Sequence, residues 1–61
     1  MKKFELHITV SYEAGGTIYD NYFKEYVDAN NKKEAKKIIK EELKDEGYTR
    51  IDVEEIYEVI Y

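Results

Sequence analysis

Asn30-Asn31-Lys32-Lys33-Glu34-Ala35-Lys36-Lys37-Ile38-Ile39-Lys40-Glu41-Glu42-Leu43-Lys44-Asp45-Glu46-Gly47 is the stretch that decides the fold. It opens on two asparagines, which cap helix starts by accepting from free backbone N–H groups. It closes on Gly47, the residue that most readily turns left-handed just past a helix end. Between them Ala35, Ile38, Ile39 and Leu43 recur at three- and four-residue steps and make one apolar stripe. This is the only helical pattern in the chain. Everything on either side reads as strand, so the stripe has to cover a sheet.

Upstream, Lys3 to Glu13 alternates: Phe4, Leu6, Ile8, Val10 and Tyr12 share one phase, and Lys3, Glu5, His7, Thr9 and Ser11 the other. That is the signature of a half-buried strand. Ala14-Gly15-Gly16-Thr17 follows, with two glycines to supply the positive φ angles of a tight hairpin. A second strand runs from about Thr17 to Ala29. A two-residue loop would pair Ile8 with Phe23 and a four-residue loop Leu6 with Phe23, and both leave the same residues on each face. Tyr19, Phe23, Val27 and Ala29 then point inward; Ile18, Tyr22, Lys24 and Tyr26 point outward. The third strand, Tyr48 to Tyr61, is rich in β-branched and aromatic residues. Its plain alternation puts Ile51, Val53, Tyr57 and Val59 inside, and Arg50, Asp52, Glu54, Ile56, Glu58 and Ile60 outside. A right-handed crossover sets the third strand beside the first. The expected architecture is α+β: a three-stranded antiparallel sheet in the order 2-1-3 with one helix on one face, ββαβ, as one domain over residues 1–61. Leu6, Ile8, Phe23, Ile39 and Val53 are expected at the centre of its core.

Sixty-one residues lie near the lower limit for a core without staples, and the chain has no cysteine. Neither a disulfide nor a thiolate metal site is open to it, and no redox compartment follows. No apolar run reaches membrane-spanning length and Met1-Lys2-Lys3-Phe4-Glu5 does not open a signal sequence, so a cytoplasmic protein, in a host cytoplasm if viral, is expected. The formal charge of −4 argues against direct binding to nucleic acid or to an anionic membrane, both of which need a basic surface. Seven tyrosines and two phenylalanines argue against disorder.

Charge is sorted along the chain. Residues 24–40 carry six lysines against Glu25, Asp28 and Glu34, whereas residues 41–61 carry eight acids against Lys44 and Arg50. Within the helix this order opposes the macrodipole, which favours acids first and bases last. Two candidate surfaces follow. One is an acidic patch of Glu41, Asp45, Glu46, Asp52, Glu54 and Glu58, able to dock on a basic site as mimics of the phosphate backbone do. The other is the bare face of the sheet, where Ile18, Tyr22, Tyr26, Ile56 and Ile60 form an apolar patch suited to a partner or a second copy.

Catalysis is not expected. Glu25, Glu42 and Glu55 interrupt the apolar phase, and a buried pair of carboxylates could act as acid and base. They sit more naturally at edges or where the sheet overhangs the helix. His7 faces outward beside Tyr22 or Lys24, with no second His, no Cys and no nucleophile motif. Ligation by His7 and Glu5 is too sparse to select a metal, and Gly15-Gly16 leads into a strand rather than a helix, so it is no phosphate loop. No cofactor is expected.

The order strand, glycine turn, strand, helix, strand, with Phe23-Lys24-Glu25-Tyr26-Val27-Asp28-Ala29 leading into Glu34-Ala35, resembles the small archaeal ribosomal LX protein. The likeness is one of pattern; a ribosomal protein of that type would be basic where this chain is acidic, and no residue role carries over. The functional expectation is a small acidic, non-enzymatic protein-binding module, most concretely an inhibitor of the phage type that imitates nucleic acid and blocks a basic site on a partner. The alternative is a de novo designed or scaffold-like mini-protein with no natural ligand.

Overall fold

The computed structural model describes residues 1–60. Its elements are β1 (Lys2–Ala14), β2 (Thr17–Ala29), α1 (Lys32–Asp45) and β3 (Arg50–Val59). The three strands form one antiparallel sheet in the order β2-β1-β3, with α1 on one face. The expected α+β architecture is the observed one.

Local chemistry explains each boundary. Gly15 and Gly16 have φ of 60° and 79°, the left-handed pair that a two-residue hairpin turn requires. Ala14 therefore faces Thr17, and the shorter of the two expected loops puts Ile8 opposite Phe23. The side chain of Asn31 accepts from the Glu34 N–H at 2.8 Å and caps α1. Glu34 reaches back to accept from the Asn30 amide side chain at 3.2 Å, which ties the first turn to the end of β2. At the other end Gly47, at φ 91°, donates its N–H to the Lys44 carbonyl and ends the helix.

The core lies between β1 and α1. Phe4, Leu6, Ile8 and Val10 are essentially inaccessible, because β1 is the central strand and α1 lies over its even-numbered residues. Val27, Ala29, Ala35, Ile39 and Leu43 complete the core. Each large side chain buried there contributes about 1.5–3 kcal/mol. Phe23 and Val53, expected at the centre, are only half-buried on the flanking strands.

β3 departs from plain alternation. His7 faces Glu55, yet Ile8 faces Val53, so Glu54 is the extra residue of a β-bulge. Beyond it the phase inverts. Ile56, expected on the bare face, stands opposite Leu6 and packs against the core. Glu55 and Tyr57 move to the open face in its place.

The sheet outruns its helix. Fourteen helical residues span roughly 21 Å, whereas the molecule measures 43 × 17 × 13 Å. The distal end of the hairpin is consequently uncovered by α1 on the helix-bearing side, and among the described residues no element covers the other face.

Candidate functional site

On the open face, the odd-numbered residues of β1 form a midline, and the flanking strands lean their tyrosines towards it. Tyr26 donates its hydroxyl to Glu5 Oε1 at 3.1 Å. The hydroxyl of Tyr22 lies 3.0 Å from His7 Nδ1. On the β3 side Tyr57 donates to Glu55 Oε2 at 2.7 Å. His7 is the hub. Its Nδ1 is 3.5 Å from Glu55 and its Nε2 3.6 Å from Glu5. Its ring meets Tyr22 and Tyr57 edge-on, with centroids 6.3 and 5.4 Å apart. Farther along, Ser11 donates to Asp20 at 2.6 Å and Arg50 pairs with Asp52 at 2.8 Å.

Two physical properties follow. The hydroxyls of Tyr22, Tyr26 and Tyr57 are each anchored while about half of each side chain stays exposed, so the rings are held ready for contact. The Tyr57 hydroxyl is also pushed above its ordinary pKa of 10, chiefly because its proton is shared with Glu55, with desolvation and the Glu55 and Glu5 charges adding to the effect. Second, register and alternation place Glu5, Glu13, Asp20, Asp28, Asp52 and Glu55 on this face against Lys3, Lys24 and Arg50. α1, on the other side, carries six lysines against Glu34, Glu41, Glu42 and Asp45. The molecule is acidic on its tyrosine face and basic along its helix.

The expected acidic patch is not assembled as one surface. Glu41 lies among Lys33, Lys36, Lys37 and Lys40 on the solvent side of α1. Asp45 and Glu46 stand at the helix end. Asp52 is on the open face, opposite Thr9, whereas Glu58 is opposite Phe4 on the helix-bearing side and paired with Lys2 at 3.5 Å. Glu54 is exposed at the bulge. Of the expected sheet-face residues, Tyr22 and Tyr26 are central to the network. Ile18 sits at the hairpin tip opposite Glu13, Ile60 is exposed beyond the end of β3, and Ile56 has turned inward. Sequence reasoning missed Tyr57 and Glu55, whose outward phase depends on the bulge. Glu25 and Glu42 are both exposed, so no buried carboxylate pair forms with Glu55.

Chemically the face offers one imidazole, carboxylates and phenolic rings, a set suited to holding cations and to stacking. Among the described residues no group of three or more His, Asp or Glu is placed to hold a metal ion. No described helix is long and apolar enough to cross a membrane. No family model, no curated protein and no solved structure matches the chain.

Proposed function

We propose that the chain is a small non-enzymatic protein-binding module that seats a basic protein surface on the open face of its sheet. The observation that carries this reading is the anchoring of Tyr22, Tyr26 and Tyr57 by His7, Glu5 and Glu55. Tyrosines give large contact area with little rotameric freedom to lose, and they recur where interfaces concentrate binding energy. Carboxylates between the rings favour Lys and Arg, which also stack on aromatic faces. A partner surface of that kind is one that otherwise holds a polyanion, so occupying it would inhibit nucleic-acid binding there. The working surface in this proposal is the tyrosine face of the sheet, with Asp52 and Glu54 at its β3 edge, rather than a patch that includes Glu41 and Glu58.

The test is an NMR titration with a hexalysine peptide, and with hexaglutamate as control. Saturable shifts at Tyr22, Tyr26 and Tyr57 with hexalysine alone are expected, weakened on the order of ten-fold in Tyr22→Ala/Tyr57→Ala. Shifts confined to other surfaces, or equal for both peptides, would overturn the reading.

A further inference from the structure

A second aromatic site lies on the helix-bearing side, where the sheet extends past the end of α1. Tyr12 and Tyr19 face each other across the hairpin, and their rings stack with centroids 5.4 Å apart and planes 21° apart. The link from α1 to β3 turns at Gly47 and is then pinned to β1. Both the N–H and the hydroxyl of Thr49 donate to the Ser11 carbonyl, at 2.9 and 3.1 Å. That pin delivers Tyr48 to Tyr12, with the rings steeply inclined at 63° and 6.2 Å between centroids. Tyr12 and Tyr48 line a shallow hollow of about 340 Å³ together with Asn21, Glu46 and Gly47.

The hollow has a sign as well as a shape. The C-terminal end of α1 terminates at it, and a helix presents partial negative charge there. Glu46 adds a carboxylate, and none of the lining residues is a base. Two aromatic walls, a carboxylate and a negative helix end together favour an organic cation on an alkyl stem. An anion would meet Glu46 and the dipole; a purely apolar side chain would strip water from Glu46 without compensation. The structure assigns this corner as a receptor for one lysine or arginine side chain of a protein partner. The site is independent of the tyrosine face proposed above, because it lies on the opposite side of the sheet and shares no residue with it.

Three blocked tripeptides, Gly-Lys-Gly, Gly-Arg-Gly and Gly-norleucine-Gly, serve as probes in NMR titrations of the intact chain. The lysine and arginine peptides should give saturable shifts at the Gly47 amide and at the rings of Tyr12 and Tyr48. Norleucine, which keeps the stem and lacks the charge, should bind on the order of ten-fold more weakly. Tyr48→Phe should retain binding, Tyr48→Leu should lose about ten-fold, and Glu46→Gln should weaken it severalfold and reduce its salt dependence. If Tyr48→Leu does not fold, Tyr48→Phe and Glu46→Gln decide the matter, since both substitute exposed or ring-edge groups. Equal binding of norleucine, full affinity in Tyr48→Leu or Glu46→Gln, or shifts confined to Tyr22 and Tyr57 would overturn the assignment. Tyr22→Ala/Tyr57→Ala should leave the tripeptide shifts unchanged, which separates failure at one site from failure at the other.

Discussion

Ile56 stands directly opposite Leu6 on the helix-bearing side of the sheet. That pairing exists because Glu54 is taken up in a bulge just before it, which inverts which residues of the second half of β3 face the core. The same reversal hands Tyr57 and Glu55 to the open face, so one inserted residue both completes the core and completes the tyrosine network.

The contact that the bulge sets up, rather than the extra residue itself, should carry the stability. Deleting Glu54 would leave β3 to alternate regularly, with Glu55 still opposite His7 and Ile56 still opposite Leu6, so it should cost less than Ile56→Ala. Ile56→Ala should destabilise by about 1–3 kcal/mol, the low part of the large-to-small range because the site is only half-buried. Ile60→Ala should stay within about 0.5 kcal/mol, since Ile60 is exposed. Urea denaturation of the three variants measures this ordering.

Leu6→Ala and Ile39→Ala should each cost about 2–5 kcal/mol, because both side chains are almost fully buried between β1 and α1. For a domain this small that is a large share of the total stability, and far-ultraviolet circular dichroism should show partial or complete unfolding at room temperature. An Ile39→Ala variant with an unchanged melting temperature would contradict the helix-on-sheet packing.

Loss of the helix cap should be milder. Asn31→Ala removes the acceptor for the Glu34 N–H and should cost about 1 kcal/mol, whereas Asn31→Asp should be tolerated. Thermal denaturation resolves a difference of that size.

Tyr57 makes a pH prediction. Its hydroxyl is held protonated by Glu55, so its pKa is higher folded than unfolded. The stabilisation this supplies is complete below the ordinary tyrosine pKa of 10 and disappears as pH rises through the folded value. In an ultraviolet titration Tyr57 should ionise later than an unperturbed tyrosine, and Glu55→Gln should bring it back towards 10. Tyr57→Phe should flatten the corresponding part of the stability curve.

Binding of a basic partner should be fast at low salt and slow as ionic strength rises, because exposed charges act mainly on the rate of encounter. Reversing Asp52 and Glu54 to Lys should weaken binding well beyond the effect of reversing Lys33 and Lys37 to Glu, which lie on the helix side. Stopped-flow association across a salt series reads both, and each double variant should remain folded, since exposed charges contribute little to stability.

The sequence by itself determined the elements and their order. Asn31 and Gly47 bracket the helix through local hydrogen bonding and backbone freedom, the apolar stripe from Ala35 to Leu43 gives it one buried side, and Gly15-Gly16 places a tight hairpin turn, whose two-residue length the structure decides. The period-two alternation of β1 named four of the core residues, and crossover handedness placed β3 beside β1. What only the tertiary structure decided is the facing of the second half of β3 and the meeting of side chains that depends on it. Ile56, Tyr57, Val59 and Ile60 are apolar or aromatic in both phases, so their own pattern cannot report an inserted residue; only pairing against Leu6 and Ile8 reveals it. The network around His7 and the corner of Tyr12 and Tyr48 are likewise unreadable from spacing, because each joins strands distant in sequence through hydrogen bonds and ring contacts that exist only once the register is set.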